Sequence, residues 1–196
     1  MVTTYDERTA LLVVDVQNDF ADPSGSLYVN EGEQVVPVVN AEIAQAVGAG
    51  ALVVYTQDWH PPDTPHFQKD GGIWPVHCVE NTWGAEFHPD LVVAGGEVVR
   101  KGHERGDGYS AFSVRDPTSG HTWSTALERI LKDREITRIV VVGLATDFCV
   151  AETVCDARVL RFPVQVVSAG IRAVELVEGG GAHAINRMRD AGAEII

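Results

Sequence analysis

Short apolar runs alternate along this chain with segments whose apolar residues recur every three or four positions. Ala10-Leu-Leu-Val-Val-Asp-Val16 reads as a strand buried on both faces, since its apolar character is continuous and not alternating. Val36, Val39, Ile43 and Val47 then follow a helical spacing, which Gly48 and Gly50 bring to an end. Ala51-Leu-Val-Val-Tyr-Thr56 is a second buried strand, and Glu97-Val-Val-Arg100 a third that stops at Lys101-Gly102. Leu127, Ile130 and Leu131 share one helical face, with Ser124 or Thr125 as the expected cap. Arg138-Ile-Val-Val-Val-Gly143 is the clearest strand. After it come a helix from about Asp147 to Leu160, a strand at Val164–Val167, a helix near Ala182–Ala191 and a last strand at Ala193–Ile196. The pattern predicts one domain over residues 1–196, an open three-layer α/β sandwich with a mainly parallel central sheet.

Two stretches break the rhythm. Between Gln57 and Gly96 lie five of the nine prolines and four of the seven histidines, a long loop-like excursion of the kind that carries function. The stretch after Lys101-Gly102 up to His121 is also read as irregular, with few anchors in His103–Ser119 besides Tyr109-Ser-Ala-Phe112, and the glycine run Gly179–Gly181 as a flexible turn.

Ligands of open parallel sheets sit beyond the carboxyl ends of the strands. Asp15 ends the first strand, Asp58 and His60 follow the second, Lys101 ends the third and Cys149 follows the fourth. Cys149 falls in the first turn of a helix if Thr146 or Asp147 caps it. The helix N-terminus is then expected to lower the thiol's pKa and offer amides to an oxyanion. The alternative is a buried structural cysteine, the reading favoured for Cys78 and Cys155. Asp15 is either a turn-former or the base for Cys149. Lys101 is either a solvated surface residue or the third member of an Asp-Lys-Cys set. Asp58, His60, His66 and His77 together suit Zn²⁺, Fe²⁺ or Mn²⁺, against the alternative of a His-rich surface loop.

Composition narrows the partners. The 196 residues carry a formal charge of −13 with no basic cluster, a poor match for nucleic acid or an anionic membrane. The apolar stretches are too short to span a bilayer. The first residues have neither a basic start nor an apolar signal core, so a cytoplasmic protein is expected. Three cysteines without C-x-x-C spacing argue against a disulfide scaffold.

Six ordered motifs carry a resemblance. Asp15-Val-Gln-Asn-Asp-Phe20, Asp58-Trp-His60, Trp74-Pro-Val-His-Cys-Val79, Gly84-Ala85, Lys101-Gly102 and Gly143-Leu-Ala-Thr-Asp-Phe-Cys-Val150 resemble the nicotinamidase (pyrazinamidase) branch of the isochorismatase-like hydrolases, over about residues 9–170. The resemblance implies a catalytic set of Asp15, Lys101 and Cys149, and one divalent metal ion, Zn²⁺ first, on Asp58, His60, His66 and His77. It also implies an oxyanion hole from the N–H groups of Ala145 and Cys149 beside a cis Leu144–Ala145 peptide. Phe20, Trp74 and Tyr109 would line a pocket for the flat ring of a small-molecule amide, nicotinamide. A homo-oligomer is in keeping with the resemblance, though the residues show no interface signature. Three rivals stand beside this reading: another amidase or carbamoyl hydrolase on the same frame, a hydrolase whose metal-bound water attacks, and a metal-binding protein without catalysis.

Overall fold

The computed structural model describes residues 3–196. Its strands are β1 (Thr9–Val14), β2 (Leu52–Asp58), β3 (Glu97–Lys101), β4 (Ser113–Arg115), β5 (Thr122–Ser124), β6 (Arg138–Leu144), β7 (Val164–Arg172) and β8 (Glu194–Ile195). Its helices are α1 (Asn18–Ala21), α2 (Val35–Gly48), α3 (Leu127–Asp133), α4 (Ala151–Val159) and α5 (Gly180–Asp190). Six strands form one sheet in the order β3-β2-β1-β6-β7-β8, and every pairing in it is parallel.

The continuous apolar runs are explained by two covered faces. Along β1, Ala10, Leu12 and Val14 enter the core under α3, α4 and α5, while Leu11 and Val13 enter the core under α2. β6 divides in the same way, with Ile139 and Val141 on one side and Val140, Val142 and Leu144 on the other. Neither strand has a face for a polar residue, and each fully buried Val or Leu stabilises the fold by about 1.5–3 kcal/mol. On α2 the buried stripe is Val36, Val39 and Ile43. Val47, expected on the same face, is 49% exposed, and Ala46 is the buried residue of the last turn.

Several expectations need correction. Residues 113–124 contain an antiparallel hairpin, β4–β5, in a region read as irregular as far as His121. Its strands are three residues long, and β5 has no buried residue, so the period-two signal is too short to register. β7 runs five residues beyond Val167 to Arg172, crossing a register shift opposite Val141–Gly143. Gly179–Gly181 is the start of α5: Gly179 takes φ 78° at the cap, and the Glu175 carboxylate accepts from the N–H groups of Gly180 and Gly181. Ala126, not Ser124 or Thr125, is the N-cap residue of α3, although Thr125 Oγ1 just ahead of it accepts from Leu127 N at 3.1 Å.

In this strand order the chain winds outward from β1 to one side and from β6 to the other. The switch point lies between these two central strands. Asp15 and Cys149 leave the sheet at that crevice.

Candidate active site

Asp15 follows β1 at φ 47°, a backbone conformation that aspartate tolerates better than most residues. The turn directs its carboxylate into the crevice, where it is fully buried. Thr56 of β2 steadies it: Thr56 Oγ1 donates to Asp15 Oδ1 at 2.6 Å and accepts from Asp15 N at 3.2 Å. Lys101 ends β3 and is also wholly buried, which removes the surface-lysine alternative. Its ammonium lies 2.6 Å from Asp15 Oδ2 and 2.5 Å from Asp58 Oδ1, donates to Gly108 O, and sits 3.4 Å from Cys149 Sγ. Oxygens of Asp15 and Asp58 and the Cys149 sulfur all lie within 4.8 Å of one another.

Burial alone would discharge Lys101, but the carboxylates of Asp15 and Asp58 hold its pKa well above the ordinary lysine value. Burial pushes the Asp15 carboxyl up, aided by the Asp58 charge and only partly opposed by Lys101. Asp58 is also desolvated, yet Lys101 and the adjacent His60 and His77 hold it well below the usual carboxylate range. The Cys149 thiol is driven well above its ordinary value, first by burial and then by the two carboxylates, against the pull of Lys101.

The expected Thr146 or Asp147 cap ahead of Cys149 does not form, and the shift of the thiol runs opposite to the expected lowering. The turn holding it, Thr146–Val150, is π-helical, and neither Thr146 nor Asp147 caps it. Asp147 instead accepts from the N–H groups of Val174 and Glu175, tying the turn to the segment after β7. In this setting burial and two nearby anions outweigh a partial dipole charge.

The second cluster adjoins the first through Asp58. His60, His66 and His77 are all buried, which excludes a surface loop, and their ligand-type nitrogens lie within 4.8 Å of one another. Asp58 Oδ2 is 3.7 Å from His60 Nε2 and 3.8 Å from His77 Nε2. Each ring is held by its other nitrogen: His60 Nδ1 is 3.2 Å from Gly102 O, His66 Nδ1 2.6 Å from Asp107 Oδ1, and His77 Nδ1 2.8 Å from Pro75 O. His60 Nε2 is buried with no hydrogen-bond partner. An orphaned imidazole nitrogen facing a carboxylate and two further imidazoles fits a divalent cation. Burial lowers the pKa of His66, which favours the neutral form that ligation needs.

Beside both clusters lies a narrow cavity of ≈ 20 Å³, about the room one water requires. Phe20, Trp74, Tyr109, Asp58, His66, His77, Ala145 and Cys149 all line it, together with Phe148. Asp15, Lys101 and His60 stand directly behind this lining. Trp74 Nε1 donates to the Tyr109 hydroxyl at 2.8 Å, and Phe148 meets the Trp74 ring edge-on at 4.7 Å. The Leu144–Ala145 peptide is cis. A much larger groove of ≈ 830 Å³ runs along the β3 edge past Trp59, Arg100 and Trp123, but none of the candidate residues lines it.

The candidate catalytic, metal and pocket residues named from the sequence thus meet at one crevice. Sequence reasoning missed Thr56, Gln17, Asp107 and Phe148. Gln17 clamps Asp58 from both sides, donating to its carbonyl and accepting from its N–H, each at 2.8 Å. A hydroxyl ending an apolar strand was a usable signal for Thr56; Asp107 had none, since nothing in its spacing points to His66.

The fold and crevice define a parallel α/β protein with a buried thiol, a carboxylate and a cation in contact, next to a pocket suited to a metal. The chain belongs to the isochorismatase domain family, whose profile matches residues 9–196. Among curated relatives it is 39% identical to the nicotinamidase of Escherichia coli, over 95% of this chain and 93% of that one. Among solved structures, PnC1 of L. infantum in complex with nicotinate superposes with a TM-score of 0.90 at 33% identity, covering 100% of this chain and 96% of the other. The pyrazinamidase of Pyrococcus horikoshii in complex with zinc gives 0.85 at 36% identity, with 96% and 98% covered.

Proposed function

We propose that this chain hydrolyses nicotinamide to nicotinic acid and ammonia through a thioester on Cys149, with pyrazinamide as a second substrate and NAD salvage as its setting. The observation that carries the reading is the contact of Lys101 with Asp15, Asp58 and Cys149, which joins a nucleophile set to a metal-type pocket. Relatives named nicotinamidase, and one bound to nicotinate, supply the substrate class.

The steps follow from the charges. Asp15, its pKa raised by burial, takes the proton of the Cys149 thiol, and the sulfur attacks the amide carbon. Lys101 remains cationic throughout and stabilises the thiolate as it forms. The N–H groups of Ala145 and Cys149 receive the developing oxyanion. Protonated Asp15 returns its proton to the leaving nitrogen, which departs as ammonia. Asp15 then deprotonates a water that cleaves the thioester, and Cys149 regains its proton. Asp58, His60, His66 and His77 would hold one divalent ion, which we assign first to Zn²⁺ and otherwise to Fe²⁺ or Mn²⁺; it supplies a Lewis-acid anchor for a ring nitrogen. Phe20, Trp74 and Tyr109 sandwich the ring, and Phe148, half-buried at the mouth, gives way as the ring enters.

The test is ammonia release from nicotinamide by purified, zinc-loaded protein. Turnover supports the reading. No release with metal bound and Cys149 reduced overturns it, and turnover of aliphatic amides alone would assign a different amidase on the same frame.

A further inference from the structure

The segment Asp107-Gly108-Tyr109 touches three parts of the crevice at once. The Asp107 carboxylate is 2.6 Å from His66 Nδ1, the Gly108 carbonyl accepts from Lys101, and the Tyr109 hydroxyl accepts from Trp74. Asp107 is itself fixed through its backbone. Its N–H donates to Arg115 O at 2.6 Å and its carbonyl accepts from Arg115 N at 3.1 Å, an antiparallel bridge to β4. Gly108 allows the close approach this needs, since a Cβ there would stand 2.5 Å from Gly102 N. The β4–β5 hairpin, far from the sheet's switch point in sequence, therefore reaches the crevice through one residue.

We propose that Asp107 is a positioning residue for the metal pocket: it holds the His66 ring with Nδ1–H toward its own carboxylate and Nε2 toward Asp58, His60 and His77. His60 Nδ1 and His77 Nδ1 are anchored by main-chain carbonyls, whereas His66 Nδ1 has a carboxylate behind it, that of Asp107. A carboxylate behind a ligating imidazole fixes its tautomer and increases its donor strength, and losing such a partner weakens metal binding by roughly 10–100-fold. The inference rests on the assignment of His66 to a metal set.

The experiment is a titration of metal-free protein with Zn²⁺ against a chromophoric chelator, for the parent, Asp107→Ala, Asp107→Asn and His66→Ala. Asp107→Ala is expected to bind Zn²⁺ roughly 10–100-fold more weakly. Asp107→Asn keeps an acceptor oxygen for Nδ1–H and is expected to recover part of the loss. The metal-free thermal midpoint of Asp107→Asn should match the parent's, and the visible bands of Co²⁺-loaded Asp107→Ala should differ from the parent's. Zn²⁺ affinity of Asp107→Ala within twofold of the parent's, while His66→Ala binds poorly, overturns the role of Asp107 alone. If Asp107→Ala does not fold, Asp107→Asn at parental affinity and with parental Co²⁺ bands overturns it as well. A parent that binds no Zn²⁺ overturns both this inference and the metal assignment beneath it.

Discussion

Replacing Lys101 by methionine isolates the ion cluster at the centre of the crevice. Methionine approximates the length of lysine and fits a fully buried site, so the change removes a charge with little change of volume. It leaves the Asp15 and Asp58 carboxylates facing each other with no cation between them, and the Gly108 carbonyl without its donor. Removing one partner of a buried ion pair costs about 3–5 kcal/mol. For a chain of this length that corresponds to a fall in thermal midpoint of roughly 6–20 °C. The cost also carries a pH signature. Burial already raises the Asp15 pKa, and without Lys101 it rises further. An acid whose folded pKa is raised favours the folded state at low pH and loses that contribution as pH climbs through the folded value. The deficit of the variant should therefore be smaller at about pH 5.5 than at about pH 7.5. Urea unfolding of metal-free protein at the two pH values measures it, and adding Asp15→Asn to the variant should restore at least ~1 kcal/mol as a positive coupling. A loss below ~1 kcal/mol, or one that grows as pH falls, would refute the account of Lys101 as the cation balancing two buried carboxylates.

Three further outcomes are expected. Cys149→Ala should abolish ammonia release yet bind Zn²⁺ with unchanged stoichiometry, because the proposed donors are Asp58, His60, His66 and His77; lost metal would instead favour the neighbouring group of Asp15, Asp58 and Cys149 as the ion's site. In Asp15→Asn turnover should vanish while the pH profile of Cys149 alkylation by iodoacetamide moves to lower pH, since one of the anions raising the thiol is gone and Lys101 remains; an unmoved profile would count against the charge argument. Gly102→Ala should weaken Zn²⁺ binding. Its φ of 79° disfavours a side chain, and a Cβ there would stand 2.5 Å from the His60 ring, so metal affinity equal to the parent's would show that the ring can shift without consequence.

Much of the sheet was legible because β1, the first four residues of β2 and β6 carry continuous apolar runs, and only a strand covered on both faces needs that. The placement of Asp15, Asp58, Lys101 and Cys149 at four strand ends was also legible, because a parallel sheet brings all carboxyl ends to one edge. What escaped was set by contacts that leave no local trace. The β4–β5 hairpin is too short for its period to show. The thiol's resting state depends on Asp15 and Asp58, which are 134 and 91 positions away along the chain. Asp107 looks like any acidic loop residue until the fold sets it against His66.

The neutral state of Cys149 has a consequence for how such a site survives between turnovers. Peroxides and stray electrophiles react with thiolates, and the oxidation ladder from sulfenic acid upward begins there. A sulfur that carries its proton while idle, and gives it up only to a carboxylate sealed in the same crevice, offers these reagents little to attack. The arrangement that holds back the nucleophile at rest is thus also its protection.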